Sequence, residues 1–178
     1  GLDPDEAGAG LAPYPGLVSI GTSDTGRMLI DLEVARGLIA VRGSRRMVQA
    51  VLAAMAVELA TNRWSDRMQI TLVGFGPELA MLAPERVHVT RTLEEAMPAL
   101  EARSAEIEHS LASLRADSVL TGRSAGLHPD SWAPHYLIMA VPPAPRQRER
   151  LLALASTRHR TAMGYVVAGD VPGATWSW

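Results

Sequence analysis

The chain has 178 residues, no cysteine and a formal net charge of -2. This length fits one domain with a substantial core, and the absence of cysteine excludes disulfides, thiol nucleophiles and cysteine metal sites. All 17 basic residues are arginine, so no lysine can reach a phosphate or form a Schiff base. The slightly acidic charge gives no reason to expect nucleic-acid binding, and no apolar run is long enough to predict membrane insertion or a signal peptide.

Residues 1–16 are rich in glycine, proline and acidic side chains, which is typical of a linker or a loosely docked lead-in. We predict that residues 17–178 form a single domain. Its first two apolar runs, 17–20 and 28–32, flank a turn-rich TSDTG segment and predict a β-hairpin that covers the edge of a sheet. Because the chain begins with Gly1 rather than methionine, we expect it to be one domain of a longer protein.

The central stretch, residues 38–60, predicts a strand, a tight turn and a helix in that order. The apolar run Leu38–Val41 is followed by Gly43 and by Ser44 as the helix N-cap, and apolar residues then recur at helical spacing: Met47, Val51, Met55 and Leu59. In phosphate-binding proteins this layout directs backbone N–H groups and a helix N-terminus at an anion. The catalytic form also requires a lysine followed by Ser or Thr, and here Met47 and Val48 stand near those positions.

The rest of the sequence alternates between predicted strands and helices. Strands are predicted at 68–75, 87–90, 132–141 and 164–168, helices at 92–115 and 146–156, and a last short strand near the C-terminus. Thr92 and Glu95 resemble a capping box for the longer helix, and Pro98 is expected to kink or restart it. Residues 116–130 predict a loop. This alternation favours an α/β fold with a mostly parallel sheet and helices on both faces.

Two strand ends bear on the chemistry of a possible site. The strand at 132–141 runs into a proline-rich segment, so residues 140–143 stand where a nucleotide hydrolase would place the acid that holds magnesium. Asp170 follows the last buried strand, at the carboxyl end where α/β sheets usually bind ligands. The five histidines lack metal-ligand spacing, so no metal site is predicted.

In their order along the chain, six segments resemble the FtsK/SpoIIIE family of P-loop motor ATPases: LVSIGTSDTGRMLIDLE, LIAVRGSRRMVQAVLAAMAVELA, MQITLVGF, RTLEEAMPALEARSAEIEHSLASL, HYLIMAVPP and LASTRHRTAMGYVVAGDVP. The second is similar to the Walker A strand, loop and helix, and the fifth to the strand that normally ends in the Walker B acids. The resemblance implies a three-layer, P-loop NTPase-like fold with an N-terminal β-hairpin. It also implies lost catalysis, because the Walker side chains are replaced around Met47, Val48, Val141 and Pro142.

The ending GYVVAGDVPGATWSW also resembles a degenerate ATPase-like domain of large actinobacterial membrane-anchored proteins that carry LysM and bacterial transcriptional-activation modules. This resemblance implies a cytoplasmic domain of a membrane-anchored bacterial protein, with no enzyme activity and no cofactor. Its partners would be neighbouring domains of the parent protein or further copies of itself. The first hypothesis is therefore a catalytically inactive structural, interaction or regulatory module.

The second hypothesis is a regulatory domain that binds a nucleotide or another anion without hydrolysing it. The candidate ligand-binding residues lie in the central turn or after the last buried strand, and they are Arg42, Gly43, Ser44, Arg45, Arg46 and Asp170. Arginine can give a phosphate two parallel hydrogen bonds, and a helix N-terminus is expected nearby. The alternative interpretation is that these arginines lie on the surface and pair with local carboxylates.

Overall fold

The computed structural model describes residues 14–35, 37–62, 67–124, 129–156 and 161–178. Residues 1–13, most of the expected lead-in, lie outside this part of the chain. None of the helices in the described ranges is long and apolar enough to cross a membrane.

A six-stranded parallel sheet forms the centre of the fold. Its strands, in chain order, are β3 (Leu38–Val41), β4 (Gln69–Val73), β5 (Val87–Thr90), β6 (His135–Met139), β7 (Met163–Ala168) and β8 (Trp176–Ser177). Across the sheet they lie in the order β5-β4-β6-β7-β3-β8, so β7 separates β3 from β6. The strands β3, β6 and β7 are buried along their whole lengths, which explains their nearly continuous apolar sequences. The predicted parallel sheet is confirmed.

Helices cover both faces of this sheet. On one face, α1 (Arg45–Thr61) packs its buried Leu52, Met55 and Leu59 into a core with β3 and β4. On the other face, α2 (Leu93–Leu114), α3 (Val119–Ser124) and α4 (Pro145–Ala155) contribute to a second core. The predicted three-layer α/β fold is therefore confirmed.

Side-chain caps set where two of the helices begin. Ser44 accepts a hydrogen bond from the Met47 N–H at the start of α1, and Thr92 accepts one from the Glu95 N–H at the start of α2, both over 3.4 Å. Pro98 lies inside α2, and the helix continues past it to Leu114, so the expected restart does not occur. Pro98 is the sixth residue of α2, and its missing N–H removes one intrahelical bond, which the rest of the helix tolerates.

The N-terminal hairpin is a separate antiparallel sheet of β1 (Leu17–Ser23) and β2 (Gly26–Asp31). The prediction that it covers the edge of the main sheet is wrong, because it packs against α1 instead. The backbone N–H of Ser19 donates to a carboxylate oxygen of Glu58 over 3.0 Å. The buried Val18 side chain joins the core beneath α1, and its removal from water favours docking of the hairpin on this helix.

Residues 116–130 contain regular structure where the sequence predicts a loop. The helix α3 occupies part of this stretch, and a 3-10 helix spans Pro129–Trp132. Residues 125–128 lie outside the described ranges. Gly122 in α3 faces the buried indole of Trp132, and a Cβ at this position would lie 2.5 Å from the ring. Glycine therefore allows α3 to pack closely against Trp132.

A buried ion pair connects α3 to the segment between β2 and β3. The two terminal guanidinium nitrogens of Arg123 donate to the carboxylate of Glu33 over 2.6 and 2.8 Å. These side chains are 3% and 0% exposed, respectively. The Tyr136 hydroxyl donates to Glu33 over 3.1 Å, and Arg123 also donates to the Trp132 carbonyl. Burial, together with the Glu33 carboxylate, raises the pKa of Tyr136 well above its usual value, so its hydroxyl remains a donor.

We expect Arg123→Met to destabilise the domain by about 3–5 kcal/mol, because it leaves the Glu33 carboxylate buried without its counter-charge. Urea denaturation followed by circular dichroism measures the loss. The matched control is Arg150→Met, which breaks an exposed pair of 2.6 Å with Glu101 and should cost less than about 1 kcal/mol. Equal losses in the two variants would contradict a stabilising role for the buried pair.

His135 is a buried histidine at the start of β6. Its Nε2 lies 2.8 Å from Oγ1 of Thr71 in β4, in a buried hydrogen bond. Burial, with smaller contributions from the charges of Arg103 and His88, lowers the pKa of His135 from 6.5 to about 4. Between these values the unfolded chain binds more protons than the native state. Stability is therefore lost as the pH falls from 6.5 to about 4.

Between pH 7 and pH 4, we expect the wild-type protein to lose about 3 kcal/mol more stability than His135→Gln. Urea denaturation at the two pH values measures this difference, since glutamine keeps a hydrogen-bonding group and cannot be protonated. The control His109→Gln removes an exposed histidine from α2 and should follow the wild-type protein. If His135→Gln also follows it, His135 titrates normally in the native state.

Candidate functional site

A pocket of about 430 Å³ opens at the carboxyl ends of β3, β6 and β7. The β3–α1 connection and the start of α1 supply Gly43, Arg45 and Val48. The rest of the described lining consists of residues 140–142, which follow β6, and residues 168–169, at the end of β7. Because the strands are parallel, segments far apart in sequence meet at one edge of the sheet. This is the edge at which α/β sheets usually bind ligands.

The connection between β3 and α1 has only three residues, Arg42, Gly43 and Ser44. Gly43 has a φ of 139°, which residues with a side chain rarely adopt, and this lets the chain turn sharply into the helix. The Ser44 hydroxyl is occupied as the cap of α1. A catalytic phosphate-binding loop has four residues between its two glycines, ahead of the Lys-Ser/Thr pair. The observed connection therefore keeps a helix N-terminus beside the pocket but is too short for that loop.

The structure brings Arg42 and Asp170 together as an ion pair. Nη2 of Arg42 lies 2.5 Å from Oδ1 of Asp170, and the side chains are 53% and 71% exposed. The backbone N–H of Gly169 donates to the Val41 carbonyl over 2.9 Å, which holds the ends of β7 and β3 side by side. For Arg42, the geometry matches the alternative interpretation, in which an arginine pairs with a local carboxylate at the surface.

Arg45 and Arg46 are neighbours in the first turn of α1, yet they occupy different environments. Both are exposed, but only Arg45 is part of the described pocket lining. Arg45 has no side-chain hydrogen bond or ion pair within the described ranges. Of the six predicted site residues, Gly43 and Arg45 therefore line the pocket, and Arg45 supplies its positive charge.

The rest of the described lining is apolar: Val48, Ala140, Val141, Pro142 and Ala168 surround Gly169. None of the described lining residues carries a carboxylate, and no group of His, Cys, Asp and Glu side chains in the described ranges could hold a metal ion. The pocket thus offers a cation and apolar contact surface, without a described side chain that could act as a general base. Val48, which the sequence places near the Walker positions, does line the pocket. Ala168 could not be predicted for the site, because its proximity to Gly43 depends on the pairing of β3 with β7.

Solved structures that are similar to this chain include TcpA and EccC. The pCW3 conjugation coupling protein TcpA, in a monomer form with ATPγS, aligns with a TM-score of 0.59 and 13% identity over 94% of this chain and 50% of TcpA. The cytoplasmic domain of the type VII secretion ATPase EccC from Thermomonospora curvata aligns with a TM-score of 0.61 and 15% identity over 94% of this chain and 23% of that one. The chain therefore spans half or less of each neighbour. No family model and no curated protein matches it.

EccC is named as a secretion ATPase, and the TcpA structure contains ATPγS. At these identities the likeness concerns the fold alone, and it agrees with the parallel sheet and flanking helices described above. The chain therefore shares its fold with TcpA and with the cytoplasmic domain of the EccC ATPase.

Proposed function

We propose that this domain is a catalytically inactive form of the ATPase fold, serving as a structural, interaction or regulatory module of a larger bacterial protein. The proposal depends chiefly on the composition of the pocket at the carboxyl ends of β3, β6 and β7. Among the described lining residues are one arginine, two glycines and five apolar side chains. This composition lacks the groups with which P-loop ATPases bind and split a triphosphate.

P-loop ATPases catalyse phosphoryl transfer by positioning the phosphates and neutralising their charge. A lysine-free chain has no amine to reach the β- and γ-phosphates. Residues 140–142 offer no carboxylate to hold Mg²⁺ or to orient a water molecule. The three-residue connection between β3 and α1 is too short to wrap phosphates. Together these features support retention of the fold with loss of hydrolysis.

The proposed parent is a membrane-anchored bacterial protein that holds this domain in the cytoplasm. The resemblance of the C-terminal segment to domains of actinobacterial proteins supports this placement. The proposed partners are neighbouring domains of the parent or further copies of this domain. Trp176 in the edge strand β8 and Trp178, two residues further on, are 50% and 38% exposed, which supports a contact role because tryptophan is enriched at interface hot spots.

A second candidate function is the binding of a nucleotide or another anion without hydrolysis, for regulation. The observation that favours it is Arg45, an exposed cation in the pocket wall without a side-chain partner in the described ranges. The N-terminus of α1 adds the positive end of the helix dipole. Among the predicted site residues, this candidate depends on Gly43 and Arg45, since Arg42 is paired and Ser44 is occupied as a cap.

We expect the purified domain to release no phosphate from ATP and Mg²⁺ above the rate measured without protein, because the lining provides neither a lysine nor a magnesium ligand. A coupled phosphate assay at millimolar ATP measures this rate. The control variant is Asp170→Ala, which removes the carboxylate that follows the lining residue Gly169. Magnesium-dependent turnover that disappears in Asp170→Ala would show that the domain is an enzyme.

Isothermal titration with ATP, ADP and GTP, with and without Mg²⁺, separates the two candidate functions. Under the second candidate, nucleotide binding is saturable and is weakened by Arg45→Ala, because this arginine faces the pocket. The adjacent Arg46→Ala should leave binding unchanged. Absence of a binding signal at millimolar nucleotide would eliminate nucleotide as the ligand.

A further inference from the structure

The chemistry of the pocket differs from that of a triphosphate site. Its volume of about 430 Å³ falls within the range of roughly 300–1,000 Å³ found for small-molecule sites, which are mostly apolar with a few polar groups. A triphosphate would need several cations and backbone donors to replace its hydration. Among the described lining residues, Arg45 is the one cation, and apolar side chains surround the space beyond it. This arrangement suits a ligand with one negative charge and an apolar body.

We infer that this pocket binds a small amphipathic organic monoanion, whose carboxylate or sulfonate head pairs with Arg45 and whose aliphatic or aromatic body lies against the apolar wall. The inference rests on the proposed loss of ATP hydrolysis, since it assigns a different ligand class to the same pocket. It extends the second candidate function by naming the kind of anion.

The local charges favour binding of the head group at Arg45. A guanidinium can donate two parallel hydrogen bonds to a carboxylate, and Arg45 has no side-chain partner within the described ranges. The nearby Asp170 carboxylate is offset by Arg42, whose nitrogen lies 2.5 Å away. The head group therefore meets one available guanidinium beside a helix N-terminus.

The apolar wall is formed by side chains from three elements. Val48 of α1, Ala140 after β6 and Ala168 of β7 are 4%, 6% and 4% exposed, respectively. The two alanines are small, so the ends of β6 and β7 leave volume that an aliphatic chain or an aromatic ring can occupy. Burial of that body removes apolar surface from water, which is the main source of affinity for such a ligand.

The first experiment uses the fluorescent monoanion 8-anilinonaphthalene-1-sulfonate as reporter and octanoate as competitor. We expect saturable reporter binding that octanoate displaces. Arg45→Gln should weaken octanoate about tenfold, the order expected for loss of a hydrogen bond to a charged group. The matched control Arg46→Gln removes the adjacent arginine, which is also exposed but lies outside the described lining, and should leave octanoate affinity unchanged. Thermal unfolding of both variants should match the wild-type protein.

Two further competitors separate the head group from the body. Octanamide, a neutral analogue, should bind the wild-type protein about tenfold more weakly than octanoate does. The two competitors should bind the Arg45→Gln variant with equal affinity. Butanoate should be weaker than octanoate by about fourfold for each methylene removed, because less apolar surface is buried.

Equal competition by octanoate and octanamide in the wild-type protein would overturn the inference. Equal weakening by Arg45→Gln and Arg46→Gln would do the same, as would tighter competition by ATP or inorganic phosphate than by octanoate. The proposed lack of hydrolysis would survive each of these results, because the phosphate assay tests it separately. Turnover of ATP would instead refute the proposed function and, with it, the assignment of this pocket to a monoanion.

Discussion

The buried ion pair between Glu33 and Arg123 joins parts of the chain that lie far apart in sequence. Glu33 belongs to the segment that leads into β3, Arg123 to α3, and the Tyr136 hydroxyl of β6 donates to the same carboxylate. A buried charge is costly unless it is paired and hydrogen-bonded, so the position of each group constrains the others. This pair therefore ties the start of β6 and the approach to β3 to the helical layer that contains α3.

The buried ion pair and the pocket lie at opposite ends of the parallel strands. Tyr136 is the second residue of β6, whereas the pocket is lined by residues 140–142, which follow the last residue of that strand. The strands between them are buried along their lengths, so tight packing fixes the distance between the ion pair and the pocket. Substitutions in the exposed first turn of α1 can therefore change which ligands the pocket binds, with little effect on the core.

This separation also means that the fold can be kept while the side chains that line the pocket change. The fold depends on apolar strands and on two cores that cover both faces of the sheet. Binding and catalytic groups stand on connections at the carboxyl ends of the strands, where a change of side chain disturbs few packing contacts. In this chain those connections carry Arg45 and a group of small or apolar residues, which favours a ligand with an apolar body over a triphosphate.

The sequence by itself determined the succession of the strands and of the three longer helices, because periodicity and capping depend on residues close together in the chain. The predicted strands 38–41 and 87–90 match β3 and β5, and Ser44 and Thr92 cap the helices as expected. The tertiary structure alone decided the docking of the hairpin on α1 and the helical state of α3. It also decided that Arg42 pairs with Asp170 and that Arg45, rather than Arg46, faces the pocket. These outcomes depend on contacts between distant segments, which become defined only when β7 pairs with β3 and the helices pack on the sheet.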